Sequence, residues 1–381
     1  MKKMNQEIIL ELIQNEDTIS RAEIAEITNL SPATVSNIVK ELIEMELVKE
    51  TKRGESRGGR KPILLELNPE GAYVVGLEWG ISEVKAVLLN LNNDIIEFRK
   101  KLVNDFQVSH FIQITETIIN KFTNIVKNKN KIAGIGIGVH GLVDPEKGRS
   151  RFAPHFDWKD VPIKDMVEKK IDYPVLIDND VRMMALTEKW EGRDNFIFIN
   201  TGPGIGSAIV IKGNLYYGRD YSAGEFGHMT VIEDGPLCSC GDHGCIESLI
   251  SINTLVKKYF PEIESDLSLK RLKNEWEKLI EFSCSGDNKA KNILKKAGKY
   301  LGTGIANIIN FLNPDAIIIG GAFVKAKNII LPVVKERIKN KSLQIPGNNI
   351  KIKTNSLGKK AGAAGAGILV LQELFKLKGG D

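Results

Sequence analysis

The chain has 381 residues, 42% hydrophobic and 27% charged, with a formal net charge of +5. That length exceeds one ordinary core and predicts two or three folding units, and the composition is that of a soluble globular protein, with no apolar run near the roughly 20 residues of a membrane span. The charge alone gives no argument for nucleic acid, because residues 1–68 carry more Asp and Glu than Lys and Arg, so any basic surface there must be local.

In the opening stretch MKKMNQEIILELIQNED, acidic residues interrupt the apolar positions. Ile8, Ile9, Leu12 and Ile13 recur at helical spacing, which predicts an amphipathic helix over about 4–15, not a signal peptide, and a cytoplasmic location. Ser20-Arg21-Ala22-Glu23 reads as a capping box opening a short helix to about Thr28. After a turn at Asn29-Leu30, Ser31 and Pro32 supply an N-cap and a first-turn proline for another helix. Its apolar stripe is Val35, Ile38, Val39, Leu42 and Ile43, and Thr34, Ser36, Asn37 and Lys40 lie off it.

Two short helices joined by a tight turn match a helix-turn-helix. Thr34 and Asn37, with Ser36 beside them, are placed to reach base edges, and Lys40 to reach phosphate. A three-helix packing module without DNA is the alternative. Leu47–Glu50 and Ile63–Leu67 read as strands around the loop TKRGESRGGRKP. Its glycines permit close backbone approach, and Arg57, Arg60 and Lys61 can enter a minor groove or neutralise phosphates, as a wing does. A solvated linker would have similar composition. Asn68-Pro69-Glu70-Gly71 is a turn and a domain boundary.

From Ala72 onward strands and helices alternate. Strands are expected at 73–78, 84–91, 132–139, 175–178, 196–199 and 316–321, with helices at 110–127 and about 180–190. Glycine turns follow at Gly80-Ile81-Ser82 and within TGPGIGSAIVIKG. Two similar halves, each opening on a glycine turn between strands, predict an α/β actin-like (ribonuclease H-like) two-lobed sugar kinase fold behind the winged helix-turn-helix (α+β). Residues 1–70 form the first domain. The second, 71–381, has lobe one at about 71–190 plus the C-terminal helix, and lobe two at about 191–364.

The string GHMTVIEDGPLCSCGDHGCIE holds His228, Cys238, Cys240 and Cys245. One imidazole and three thiolates suit tetrahedral Zn2+, and four protein ligands leave no open position, which makes the site structural. His243, inside the loop, is the competing histidine. Cys284 stands apart and reads as a small buried apolar residue.

Ala223–His228 (AGEFGH), followed by CSCGDHGCIE, resembles the ROK family of repressors, open reading frames and sugar kinases. So do Asp178-Asn179-Asp180-Val181 and Asn313-Pro314-Asp315 with Ile319-Gly320-Gly321. The resemblance spans essentially the whole chain and implies a sugar site of Asn179, Asp180, Glu225, His228 and Glu247. His228 would ligate zinc through one ring nitrogen and meet the sugar through the other. In the family's kinases the aspartate at Asp180 is the general base, and the first phosphate loop reads roughly Asp-x-Gly-Gly-Thr-Lys. Here Glu78-Trp79-Gly80-Ile81-Ser82-Glu83 puts isoleucine where a glycine stands and Glu83 where lysine stands, and Gly320-Gly321-Ala322 departs from a triple glycine. The resemblance therefore implies a repressor, not an enzyme. It would be a homodimer on operator DNA, released when sugar closes the cleft between the lobes. Residues 138–163 look most like the xylose repressors, with His140 where the kinases carry proline. Glucose or N-acetylglucosamine derivatives, an ATP-dependent hexose kinase, and a repressor answering to a partner protein are the alternatives.

Overall fold

The computed structural model describes residues 2–16, 18–53, 62–263 and 268–376. Its contacts fall into two compact units, residues 1–183 with 362–381, and residues 184–361.

The first unit begins with three helices, Lys2–Asn15, Arg21–Thr28 and Pro32–Glu44. Local chemistry sets their starts. Ser20 Oγ accepts from Glu23 N–H at 3.3 Å while Glu23 Oε2 accepts from Ser20 N–H at 2.9 Å, a complete capping box. Ser31 Oγ accepts from Thr34 N–H at 3.1 Å, with Pro32 in the first turn. Val35, Ile38, Val39 and Leu42 are buried as the stripe requires. The first helix is phased differently from its expected face. Leu10 is fully buried and Ile8 is 42% exposed, because Ile9, Leu10 and Ile13 are the residues that turn inward. Strands Val48–Arg53 and Ile63–Leu67 pair antiparallel, and Ile19–Ser20 adds a short third strand. Arg57, Arg60 and Lys61 lie outside the described residues.

The junction at 68–71 is pinned. Asn68 Nδ2 donates to Glu46 O at 2.9 Å, and Lys131 Nζ lies 3.0 Å from Glu46 Oε2 and donates to Glu70 O at 2.9 Å.

The rest of this unit is built on a five-stranded sheet. Its order is Val175–Asn179, Ile132–Val139, Tyr73–Trp79, Glu83–Asn90, Ile95–Leu102, parallel across the first three strands and antiparallel across the last three. Helix Val108–Val126 contributes Phe111, Ile118 and Phe122 to a core with Trp79 and Trp158. The one polar group of Trp79 is satisfied inside it, Nε1 donating to Thr115 Oγ1 at 3.1 Å. Helix Ala361–Phe375 lies directly on the sheet, which explains its small-residue sequence. A Cβ at Gly136 would stand 1.9 Å from Ala366 O, so no side chain fits there.

The second unit repeats the pattern. Its sheet runs Lys351–Thr354, Ala316–Gly321, Phe196–Thr201, Ile205–Ile211, Asn214–Tyr216, with the parallel and antiparallel halves in the same places. Two sheets of one topology make the duplicated actin-like fold, behind a winged helix-turn-helix. The core of this unit is Phe226, Leu249, Trp276, Leu301, Ile305 and Phe323, gathered along the long helix Asn288–Leu312. Cys284 is exposed, contrary to its expected burial. It ends helix Leu269–Cys284, and helical phase turns its neighbour Ser283 inward instead. Among the described residues no helix is long and apolar enough to cross a membrane.

Candidate functional site

On helix Pro32–Glu44, Ser36, Asn37 and Lys40 are exposed beside one another. Lys40 Nζ lies 3.8 Å from Glu44 Oε1, a loose surface pair that leaves the ammonium available to a phosphate. Thr34 is half-buried, and its hydroxyl lies 2.8 Å from Ser31 Oγ, so part of its hydrogen bonding serves the helix start.

Strand Val175–Asn179 of the first unit runs straight into helix Asp180–Trp190, whose first four residues also belong to that unit. Asp178 is fully buried and takes Arg182 Nε at 2.6 Å, and Arg182 Nη2 donates to Val143 O at 3.0 Å. That buried pair fixes the strand-to-helix turn. Asn179 Oδ1 accepts from the N–H groups of Val181 and Arg182 at 2.9 and 3.1 Å, and Nδ2 donates to Gly141 O at 2.9 Å. Its side chain is therefore a helix cap whose amide keeps one further hydrogen for a ligand. Asp180 Oδ1 accepts from Val181 N–H at 3.0 Å, and Oδ2 lies 3.7 Å from His140 Nδ1. The other nitrogen of His140, Nε2, is 3.1 Å from His155 Nδ1, so a carboxylate and two imidazoles stand in line. No local pattern in the sequence marks His155. It comes from the turn Pro154–Phe156, beyond the reach of any short motif.

The first glycine turn departs from a phosphate cradle in structure as well as in sequence. Ile81 packs on the hydrophobic core, Glu83 pairs with Lys100 at 3.4 Å, and Lys85 Nζ is held 2.6 Å from Glu78 Oε1. Burial pushes the Glu78 carboxyl above the usual range, opposed by Lys85 and reinforced by nearby Asp180 and Glu83.

Within the second unit, glycines lay the segment carrying Glu225 and His228 against strand Ile205–Ile211. A Cβ at Gly227 would stand 2.1 Å from Ile205 O, and Gly224 adopts φ +98°. Phe226, buried, anchors it. Nδ1 of His228 is 3.6 Å from Cys238 Sγ, while Nε2 lies 3.9 Å from Glu225 Oε2, so the ring turns one nitrogen to the thiols and the other to a carboxylate. Cys240 Sγ and Cys245 Sγ are 3.7 Å apart, and the four donor atoms of His228, Cys238, Cys240 and Cys245 all lie within 4.8 Å of one another. A tetrahedral ion with Zn–S bonds of about 2.3 Å sets sulfur–sulfur edges of roughly 3.8 Å. The donor set and its spacing fit such an ion. His243 stays out of the cluster, with Nδ1 3.0 Å from Gly235 O. Burial pushes the Cys245 thiol up to about 12, whereas the backbone N–H of Asp242 lowers that of Cys240. A cation is what would let three neighbouring thiols ionise together.

Glu247 stands two residues beyond Cys245, in helix Ile246–Ile250. Its Oε2 accepts from Ile205 N–H at 2.9 Å and its Oε1 from Ser239 Oγ–H at 3.0 Å. The second glycine turn, residues 202–204, thus has the amide that follows it engaged by a carboxylate of its own chain. Ser239 carries no motif signal of its own, because metal-ligand spacing marks only the cysteines on either side.

A profile described as ROK family matches residues 74–373. The chain belongs to the ROK family. A profile described as winged helix-turn-helix DNA-binding matches residues 5–49 of this ROK chain. A xylose repressor of Bacillus subtilis (strain 168) is 31% identical over 383 residues, covering 99% of this chain and 97% of that protein. The crystal structure of a ROK family transcriptional regulator, a homolog of the E. coli MLC protein, superposes with a TM-score of 0.84 at 27% identity, covering 98% of this chain and 97% of the other. A ROK family glucokinase from Streptomyces griseus, solved with glucose and AMPPNP, gives a TM-score of 0.64 at 27% identity. It covers 79% of this ROK chain and is itself covered completely (100%).

Proposed function

We propose that this ROK chain is a sugar-responsive, DNA-binding transcriptional repressor, that D-xylose is its effector, and that it works in the cytoplasm as a homodimer. The observation that carries the sensing half is the His228 ring, with one nitrogen 3.6 Å from a thiol of a four-donor metal cluster and the other facing Glu225 at 3.9 Å. Winged helix-turn-helix sequence ahead of the ROK region supports the DNA half. The likeness to a xylose repressor along nearly its whole length supports the choice of pentose.

In this reading residues 1–70 read the operator. Thr34, Ser36 and Asn37 meet base edges in the major groove, Lys40 meets phosphate, and Arg57, Arg60 and Lys61 meet the minor groove or backbone. Residues 71–381 sense the sugar, with one lobe at about 71–190 plus the C-terminal helix and the other at about 191–364. Asn179, Asp180, Glu225, His228 and Glu247 are the sugar ligands, because carboxylates and an amide match adjacent hydroxyls that each donate and accept. His228, Cys238, Cys240 and Cys245 would hold a structural Zn2+. When bound, the ion supplies no chemistry beyond fixing the loop and the imidazole. Sugar binds one conformation better than the other and draws the protein toward the one with weaker operator affinity. A dimer brings two winged helices to two half-sites. The chain does not phosphorylate its sugar, since Lys85 is committed to Glu78 and the first turn carries Ile81.

The test uses the purified full chain and duplexes selected by it from a random pool. D-xylose should raise the melting temperature and weaken duplex binding, while D-glucose and N-acetylglucosamine do neither. Duplex binding that ignores every aldose would leave a regulator without its proposed signal.

A further inference from the structure

Ser239 is flanked on both sides by members of the metal cluster, Cys238 and Cys240. An ion bound by both thiolates therefore clamps the Ser239 backbone from either direction. Its hydroxyl donates to Oε1 of Glu247 at 3.0 Å, and the opposite oxygen of the same carboxylate accepts from Ile205 N–H at 2.9 Å. One carboxylate thus bridges the metal loop and the glycine turn at 202–204. Space is tight on the second side, since a Cβ at Gly204 would come 3.0 Å from Glu247 Oε2. The first side has a single flexible residue whose hydroxyl either is held or is not.

We propose that Ser239 is a positioning residue, which turns the loading of the metal loop into a fixed orientation of the Glu247 carboxylate and, through it, of the Ile205 amide. Glutamate has three rotatable side-chain bonds, and a donor on each carboxylate oxygen fixes them before a ligand arrives, so less freedom is lost on binding. Alanine or glycine at 239 would let the same loop close around an ion and supply no donor. Threonine would keep the hydroxyl. The step from metal loop to Glu247 stands on this geometry alone, and its consequence for sugar affinity rests on the function proposed above.

The experiment takes the full chain as wild type, Ser239→Ala and Ser239→Thr, each loaded with zinc. It measures zinc content, amide hydrogen exchange at Ile205, and the dissociation constant for D-xylose. Ser239→Ala should retain its zinc and exchange Ile205 N–H at least about tenfold faster. Chelation of the wild type should produce a similar acceleration, and Ser239→Thr should restore the slow rate. The xylose dissociation constant of Ser239→Ala should rise by about tenfold with zinc intact, the loss expected for one hydrogen bond to a charged group. Wild-type exchange at Ile205 in zinc-loaded Ser239→Ala would overturn the proposal, as would loss of zinc from that variant, which would make Ser239 part of the metal site itself. If the exchange pattern holds while the wild type binds no aldose, the link from Ser239 to Glu247 stands and the sugar reading falls.

Discussion

Lys85 Nζ lies 2.6 Å from Glu78 Oε1, and the second oxygen of the same carboxylate is buried without a hydrogen-bond partner among the described residues. Half of this carboxylate is paired and half is stranded. Burial accordingly outweighs the lysine and holds the Glu78 carboxyl above its ordinary range. The folded chain keeps this proton after the unfolded chain has lost it. The associated stability is present below the unfolded value and is lost as pH rises through the folded one. Glu78→Gln cannot lose a proton. Its melting temperature relative to wild type should therefore climb between about pH 4.5 and neutrality. Glu188, also raised by burial, is common to both proteins and cancels. A flat difference across that range would mean that Glu78 ionises freely in the fold.

The Lys85–Glu78 pair also bears on phosphoryl transfer. Purified protein given ATP and D-xylose or D-glucose should form no sugar phosphate. Glu83→Lys should not create activity, because Ile81 packs on the core where the turn would have to open and Lys85 keeps its own partner. A coupled assay for ADP checks both, and sustained turnover by the wild type would reverse the assignment as a regulator.

At the DNA head, Asn37→Ala should weaken binding to a selected duplex by roughly 5- to 150-fold, about 1–3 kcal/mol, and relax preference at one base pair. Lys40→Ala should weaken all duplexes alike and flatten the salt dependence by about one unit of slope. Thr34→Val would remove a hydroxyl that lies 2.8 Å from Ser31 Oγ, so it should cost stability as well as affinity. Titrations at several salt concentrations separate these effects.

The metal loop predicts its own signature. Chelation or Cys245→Ser should lower the melting temperature of the second unit. An ion at a thousandfold excess over its dissociation constant contributes about 4 kcal/mol, roughly 10 °C for a unit of this size. His243→Ala should leave metal content unchanged, since that ring lies outside the cluster. Elemental analysis after gel filtration distinguishes the two histidines.

What could be read from the sequence was local. Ser20 with Glu23 and Ser31 with Pro32 announce helix starts because caps act over three or four residues. The cysteines announce a metal because ligand spacing within one loop is nearly a structure in itself. The duplicated sheet could be anticipated from two glycine turns flanked by strands. Contacts made across the fold were not legible. His155 meets His140 from a separate turn, Ser239 meets Glu247 across the loop, and Lys85 meets Glu78 only because the hairpin register pairs those two positions. Leu10 against Ile8, and Ser283 against Cys284, turned on helical phase, where a slip of one residue rotates the buried face by about 100°. Asn179 shows a further limit. A motif marks it for ligand binding, while its hydrogen bonds show that it also closes a helix start.

Lys131 immediately precedes the strand Ile132–Val139 and touches Glu46 beside the DNA head, whereas His140, which follows the strand, lies 3.7 Å from Asp180. A single extended segment of about 26 Å thus has one tip among the candidate sugar ligands and the other against the base of the DNA reader, within one compact unit. It is paired on both edges from Ile135 to Val139, with one irregularity of register opposite Tyr73–Val74 near its Lys131 end. A ligand that moved the His140 imidazole would thus act at one end of a strand whose other end adjoins the Lys131–Glu46 pair, a route from sugar site to reader contained in one unit of the fold.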